Sequence, residues 1–194
     1  MAYAALAMIV ATRALDGSDR SLLTLAQLPH AGWLDLAANL TTIPGQLEVT
    51  GTLAVGMALA RLRHRRHDWW EPLGLVVVTM IEVATKVVVP QPPPPPELSR
   101  SMPLLAFLSP PLGHSFPSGH VARVAYLGGV LSVIPLWLRV GVVTGMVASR
   151  VYLAEHWPSD TLGGLLLGLG GILLVPAIAT RMKRRRPGDA EGAR

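Results

Sequence analysis

The chain contains no cysteine, and only 15% of its 194 residues are Asp, Glu, Lys or Arg. The missing thiols exclude disulfides, thiolate metal sites and cysteine nucleophiles, so the chemistry must come from His, Ser, Lys, Arg or carboxylates. The charged fraction is well below the roughly 25% of soluble globular domains, whereas apolar residues reach 51%. This combination predicts an integral membrane protein.

The basic surface that binds nucleic acid is also absent, although the formal net charge is +5. Such surfaces spread their basic residues along one face with aromatic residues between them, whereas here they form short clusters between apolar stretches. We therefore expect a lipid bilayer as the partner, and no nucleic acid. The composition shows no break between domains, so we expect one domain over residues 1–194 with a basic cytoplasmic tail at residues 181–194.

Apolar stretches close to the ~20 residues of a bilayer crossing recur along the chain. They predict an all-α fold, namely a polytopic membrane protein with a six-helix transmembrane bundle. The expected spans cover residues 1–11, 45–62, 70–89, 121–137, 138–152 and 161–180. Between the first two spans, residues 16–43 mix charged and apolar side chains at roughly helical spacing, which is typical of a helix lying in the membrane interface.

The distribution of arginines predicts the orientation, because short cytoplasmic loops carry the excess of Lys and Arg. With six spans, the basic clusters at residues 61–66 and 181–186 and the single Arg139 fall on one side of the membrane. The loop at residues 90–118 holds one arginine, so we expect it outside, together with the segment around His156. Both termini are then cytoplasmic.

Polar residues occur at the expected outer ends of four of these spans. Ionisable groups at membrane depth are costly and are therefore functional candidates. Each of them alone can be explained as a snorkelling or helix-capping residue, but scattered structural residues have no reason to converge on one side from four helices. The set consists of Lys86, Ser118, Gly119, His120, Ser149, Arg150, His156 and Asp160.

Two members of this set have the chemistry of an oriented nucleophile. His156 and Asp160 lie four residues apart across Pro158, a spacing that lets the carboxylate reach one ring nitrogen. The carboxylate would accept the proton of that nitrogen, fix the tautomer and leave the other nitrogen free to attack.

The remaining members suit a phosphoryl group, which spreads negative charge over its oxygens during transfer and needs cations and amide donors around it. These contacts can come from Lys86, Arg150, Ser118 and the amide of Gly119 at a helix start. A second histidine, His120, can protonate the leaving oxygen.

The same residues carry a family resemblance. Pro117-Ser118-Gly119-His120, then Ser149-Arg150, His156 and Asp160, resemble the second and third signature motifs of the type 2 phosphatidic acid phosphatase family. The resemblance extends from about Lys86 to Gly171. It implies a six-helix membrane bundle, no metal or cofactor, and a phosphohistidine intermediate. It assigns His156 as nucleophile, Asp160 as its orienting partner, His120 as general acid, and Lys86, Ser118, Gly119 and Arg150 as phosphate ligands.

The first signature motif departs from the family pattern, which has Arg-Pro seven residues after the lysine. Counting from Lys86 reaches Pro93-Pro94, so the proline is kept and the arginine is missing. These residues belong to a run of five prolines at residues 92–96. Because proline lacks an amide donor and stiffens the chain toward polyproline II, this run is expected to be extended and not helical.

Two charges inside spans are not explained by the motifs. Glu82 lies four residues before Lys86, and Arg123 three residues after His120, which places them about 6 and 4.5 Å along the helices from these neighbours. We favour an ion pair between Glu82 and Arg123 that braces Lys86 and His120. In the rival arrangement, Arg123 turns toward the phosphate site and replaces the arginine missing at Pro93.

The resemblance implies a phosphatase that acts on a phosphorylated lipid at the outer leaflet. Undecaprenyl diphosphate, phosphatidylglycerol phosphate and phosphatidic acid are the candidate substrates, and the sequence does not rank them. One alternative is a catalytically silent protein that binds lipid phosphates, which the missing arginine favours and the intact histidines oppose. Another is a vanadate-binding haloperoxidase, a soluble class with related motifs that the continuous apolar spans oppose. The oligomeric state stays open.

Overall fold

The computed structural model of the chain describes residues 1–102 and 113–184, with side chains as far as residue 177. Within these residues the fold is all-α, as expected, and contains eight α-helices. They are α1 (Ala2–Ala11), α2 (Asp16–Ala26), α3 (Gly32–Thr42), α4 (Leu47–Arg63), α5 (Leu75–Val88), α6 (Gly119–Val130), α7 (Leu136–Tyr152) and α8 (Pro158–Arg184). Short 3₁₀ turns lie at Ile43–Gly45, Glu71–Gly74 and Pro96–Leu98.

The segment expected to form one interfacial helix, residues 16–43, forms the two helices α2 and α3 instead. Pro29 lies in the break between them, and proline has no amide hydrogen with which to continue a helix. α3 is amphipathic: Ala38 packs against Tyr152 of α7, whereas Trp33 on another face is 73% exposed. An exposed apolar face of this kind is what an interfacial helix requires.

Helix length differs from the expectation of six full spans. Among the described residues, only α8 is long and apolar enough to cross a membrane, judged by length and composition, over the 20 residues Pro158–Ala177. The 12-residue α6 extends only about 18 Å. The span expected at residues 121–137 is wrong at its end, because the helix stops at Val130 and Pro135 caps the start of α7 after a short turn.

The centre of the fold is the close contact between α6 and α8. Two glycines of α8 make it possible, because a Cβ atom at Gly164 would collide with the main-chain oxygen of Ser118, and one at Gly168 with that of Ala122. Tyr126 of α6, which is 1% exposed, anchors the adjoining apolar core. This contact fixes the start of α6 against the first turns of α8.

The N-terminal helices support the segments that carry the polar residues. Tyr3 Oη of α1 donates a hydrogen bond to Thr85 Oγ1 of α5 at 2.8 Å. Asp19 of α2 accepts hydrogen bonds from the main-chain N–H of Ser159 at 2.9 Å and from its Oγ at 2.6 Å. α1 therefore supports the end of α5, and α2 supports the start of α8.

Residues 90–95, called here the proline segment, have no helical or strand structure. The expectation for the whole run 92–96 is wrong at its last residue, because Pro96 begins a 3₁₀ turn. Proline is tolerated at the first position of a helical turn, where its missing amide hydrogen has no partner to lose. Residues 103–112 of the expected outer loop and 185–194 of the expected tail lie outside the described residues, whereas 181–184 form the end of α8.

Candidate active site

The residues expected to form the site come together at one end of the helical bundle. The end of α5 carries Lys86, the start of α6 carries Ser118, Gly119 and His120, the end of α7 carries Arg150, and the first turn of α8 with the residues just before it carries Asp160 and His156. The main-chain N–H of Ser118 donates to the main-chain oxygen of Asp160 at 2.9 Å. His120 is close enough to Arg150, His156 and Lys86 to interact with their charges. The four segments thus form a single site.

A tight turn after α7 positions His156. Ala154 has a left-handed backbone conformation, with φ of 52°, and the N–H groups of Ala154 and Glu155 bond to the carbonyl oxygens of Val151 and Arg150. This is the Schellman pattern, which a glycine often terminates because a residue with a Cβ atom loses roughly 1–2 kcal/mol there. The N–H of His156 also bonds to the Arg150 oxygen, at 3.2 Å.

His156 and Asp160 form the expected pair. His156 Nδ1 lies 3.3 Å from Asp160 Oδ2, and the same carboxylate oxygen accepts a hydrogen bond from the main-chain N–H of Trp157 at 2.9 Å. Asp160 is fully buried, and His156 is 7% exposed. When Nδ1 carries the ring proton and donates a hydrogen bond to Asp160, Nε2 keeps its lone pair.

The surroundings of His156 favour the neutral imidazole that a nucleophile needs. Burial lowers the pKa of His156 well below its usual value, and the positive charges of Arg150 and Lys86 act in the same direction. A neutral ring can attack phosphorus without first losing a proton. The turn, the carboxylate and the charges therefore all favour one reactive form of His156.

Hydrogen-bond donors without protein partners surround this histidine. Ser118 Oγ and Arg150 Nε are both buried, and neither has a hydrogen-bond partner within the described residues. In the part of the chain that the structure describes, Lys86 Nζ makes only long contacts, 3.5 Å to the main-chain oxygen of Ser115 and 3.8 Å to Glu82 Oε1. The first turn of α6, which starts at Gly119, adds main-chain amides. Buried donors of this kind are suited to an anion with several oxygens.

The ion pair favoured for Glu82 and Arg123 is present. Arg123 Nη1 lies 2.8 Å from Glu82 Oε2, and Arg123 Nε donates to the main-chain oxygen of Gly45 at 3.1 Å. The guanidinium is thereby held away from the rival position. The Glu82 carboxylate also packs directly against Gly119, where any Cβ atom would collide with it. Glu82 therefore contacts the start of α6 as well as Lys86 and Arg123.

Several contacts at the site were not expected from the sequence. Trp157 Nε1 donates to the main-chain oxygen of Pro92 at 2.8 Å, and Ser115 N–H donates to that of Gln91 at 2.8 Å. These bonds attach the proline segment to the site. Glu155 Oε2 lies 3.4 Å from Arg150 Nη2. None of these contacts follows a helical period, so the sequence does not reveal them. For Glu155, the only signal in the sequence is its position next to His156.

The arginine missing from the first motif is not replaced by Arg100, the nearest arginine after it. Arg100 donates to Tyr152 Oη at 2.8 Å and to the main-chain oxygens of Pro29 and Gln27. These bonds hold it between the α2–α3 connection and the end of α7. Across residues 1–102 and 113–184, no group of three or more His, Cys, Asp or Glu side chains is arranged to hold a metal ion.

Comparison with known proteins identifies the family of the chain. The model of the PAP2 superfamily matches residues 69–184, which is more than half of the chain. The chain belongs to the PAP2 superfamily, and its enzyme class is that of a membrane lipid phosphatase.

Two relatives and one solved structure resemble the chain. Phosphatidylglycerophosphatase B of Bacillus subtilis is 28% identical to the chain over an alignment of 195 positions, which covers 93% of each protein. An undecaprenyl-diphosphatase of Sulfolobus acidocaldarius is 38% identical over 63 residues, 30% of each protein. The crystal structure of a transmembrane PAP2 type phosphatidylglycerolphosphate phosphatase from Bacillus subtilis matches with a TM-score of 0.75 and 23% identity over 95% of both chains. That structural match supports the fold.

Proposed function

We propose that this protein hydrolyses the terminal phosphate of a membrane lipid, without a metal ion, through a phosphohistidine formed on His156. The observation that supports this most strongly is the pairing of His156 with the buried Asp160, beside unpartnered donors on Ser118 and Arg150. A nucleophile, its orienting carboxylate and a set of anion ligands are the parts that phosphoryl transfer needs.

The reaction then has two steps. In the first, His156 Nε2 forms a bond to phosphorus while the bond from phosphorus to the lipid oxygen breaks, and His120 gives its proton to that oxygen. In the second, water attacks the phosphohistidine, His120 takes a proton from the water, and inorganic phosphate leaves as Nε2 recovers its electron pair. Lys86, Arg150, Ser118 and the first amides of α6 stabilise the charge on the phosphoryl oxygens in both steps.

Phosphatidylglycerol phosphate is the first candidate substrate. The relative named for this activity covers 93% of both chains, whereas the one named for undecaprenyl diphosphate covers 30%. A lipid-phosphate-binding protein without turnover is the second candidate, because Pro93 occupies the position of a family arginine.

Phosphate release separates these candidates. Detergent-purified protein is given phosphatidylglycerol phosphate, undecaprenyl diphosphate or phosphatidic acid in mixed micelles that contain a chelator. Release of phosphate from at least one lipid supports the enzyme, and we expect phosphatidylglycerol phosphate to react fastest. Binding of the lipids without release from any of them would favour the silent protein.

For the membrane topology, we propose that α1 and α4 to α8 cross the bilayer, with both termini cytoplasmic and the site toward the outer face. α2 and α3 would lie in the interface. Apolar side chains on the outer surfaces of the helices support a lipid-facing belt, for example Leu59 of α4, Met80 of α5 and Leu173 of α8, which are 61%, 67% and 78% exposed.

The chain has no native cysteine, so single cysteines report the topology cleanly. In intact cells, a Pro95→Cys variant should react with a membrane-impermeant thiol reagent, and a His64→Cys variant should react only after the cells are opened. The reverse pattern would contradict the proposed orientation.

A further inference from the structure

A cavity lined in part by Trp157, the residue after His156, lies at the active-site end of the bundle. It has a volume of about 380 Å³ and lies between the start of α2 and the proline segment. Its lining includes Arg20 of α2, Gln91 and Pro93 of the proline segment, and Trp157. Trp157 directly follows His156 in the chain, and the cavity is large enough for a polar headgroup.

The charges in the cavity leave one cation without a partner. Arg13 Nε pairs with Asp16 Oδ2 at 3.1 Å, and both carboxylate oxygens of Asp19 accept hydrogen bonds from Ser159. Arg13 therefore neutralises Asp16, and Ser159 holds the Asp19 carboxylate in place. Arg20 is a solvent-exposed residue at the edge of the same cavity, and within the described residues its guanidinium makes no ion pair or hydrogen bond.

The opposite wall of the cavity offers a buried acceptor. Gln91 is 3% exposed, and its Oε1 has no hydrogen-bond partner among the described residues. Its main-chain oxygen is held by Ser115, which fixes the residue in place. A buried amide oxygen without a partner is unfavourable unless a ligand donates to it, and a hydroxyl group is a suitable donor.

We propose that this cavity binds the phosphoglycerol part of the substrate headgroup. Arg20 pairs with the inner phosphodiester, and Gln91 Oε1 accepts a hydrogen bond from the glycerol hydroxyl, while the terminal phosphate lies at His156. The proposal rests on the lipid phosphatase function proposed above. Pro93, which stands at the position of the missing motif arginine, also lines this cavity. Arg20 of α2 would then supply the positive charge that the motif arginine does not.

The candidate lipids differ in the groups that this cavity would recognise. Phosphatidylglycerol phosphate has both a second phosphate and a free headgroup hydroxyl. Undecaprenyl diphosphate has a second phosphate without a hydroxyl, and phosphatidic acid has neither. Loss of the Arg20 charge should therefore affect the first two lipids, and loss of the Gln91 amide only the first.

The test is steady-state kinetics of detergent-purified Arg20→Gln, Arg20→Lys and Gln91→Met proteins with all three lipids, and Arg63→Gln as a control. Arg63 is an exposed arginine at the end of α4, outside the cavity. We expect Arg20→Gln to raise the KM for phosphatidylglycerol phosphate about tenfold, as for one lost charge-assisted hydrogen bond, and to leave phosphatidic acid within about twofold. Arg20→Lys should recover part of this loss. Gln91→Met should raise the KM for phosphatidylglycerol phosphate only.

The outcomes separate this inference from the proposed function. Equal effects of Arg20→Gln on phosphatidic acid and phosphatidylglycerol phosphate, or no effect on either, would overturn the headgroup site while lipid phosphatase activity stands. Hydrolysis of phosphatidic acid alone by the unmodified protein would do the same. If the unmodified protein hydrolyses none of the three lipids, both the proposed function and the headgroup site are wrong.

Discussion

Each end of the helical bundle contains an arginine that is largely shielded from solvent, Arg61 at one end and Arg150 at the other, but the two have different surroundings. At the end away from the active site, Arg61 Nη1 lies 3.1 Å from Glu71 and 3.2 Å from Asp68, and Nη2 donates to the Val130 oxygen at 2.8 Å. At the active-site end, Arg150 has a single long contact with Glu155, and its Nε has no partner among the described residues. Arg61 therefore has the contacts of a structural residue, and Arg150 keeps donors for a ligand.

The largest effect is expected at the active-site end, from replacing Asp160, the residue proposed to orient the nucleophile. We expect Asp160→Asn to lower kcat by a factor of about 10³ to 10⁴, because the amide no longer fixes the tautomer of His156. Folding should be retained, since the amide is close to the carboxylate in shape. The comparison is kcat against the thermal unfolding midpoint. A fall in the midpoint that accounts for all of the lost activity would show a structural role instead.

The ion pair under the site combines features of both ends, because Glu82 binds Arg123, which also donates to the Gly45 oxygen, and contacts Lys86. Glu82→Gln and Arg123→Gln should each lower the free energy of unfolding by about 3 kcal/mol, since each leaves a buried charge without its partner. The double variant should recover part of this loss. A double-mutant cycle in unfolding free energy and in kcat measures the coupling, and strictly additive losses would rule out the pair.

The third prediction concerns the arginine with free donors. Arg150→Gln should lower kcat/KM by a factor of about 10² to 10³, the effect of losing one donor to a developing anion. Because Arg150 has few protein partners, the unfolding midpoint should change little. Unchanged kcat/KM in a folded Arg150→Gln protein would contradict the assignment of this residue to the phosphate.

The smallest effect is expected at the opposite end. Arg61→Gln should lower the free energy of unfolding by about 1 to 2 kcal/mol, because Asp68, Glu71 and the Val130 oxygen lose their shared donor. The kcat of the protein that remains folded should be unchanged. Arg61→Gln and Arg150→Gln make the same change at opposite ends of the bundle, so each serves as the control for the other. A loss of kcat in Arg61→Gln would remove the contrast between the ends.

The sequence predicted the active-site end better than the rest of the molecule. His156 and Asp160 are close along the chain, so their spacing on a turn and a helix carries the information. The pairing of Glu82 with Arg123 could be predicted because each lies a known distance along its helix from a motif residue. The contact of Asp19 with Ser159 joins residues 140 positions apart, and no periodicity reports it. The cavity lined by Arg20 depends on such contacts, as does the division of residues 16–43 into two helices.

The proposed mechanism requires that phosphate is transferred to His156, and acid-quenched labelling detects this transfer. The protein is mixed with a lipid that carries radioactive phosphorus in its terminal phosphate, and the label bound to protein is measured after quenching. We expect label on the unmodified protein and also on His120→Ala with a substrate that has a good leaving group, because that variant lacks only the acid. We expect none on a folded His156→Ala protein. Label retained by His156→Ala would contradict the mechanism.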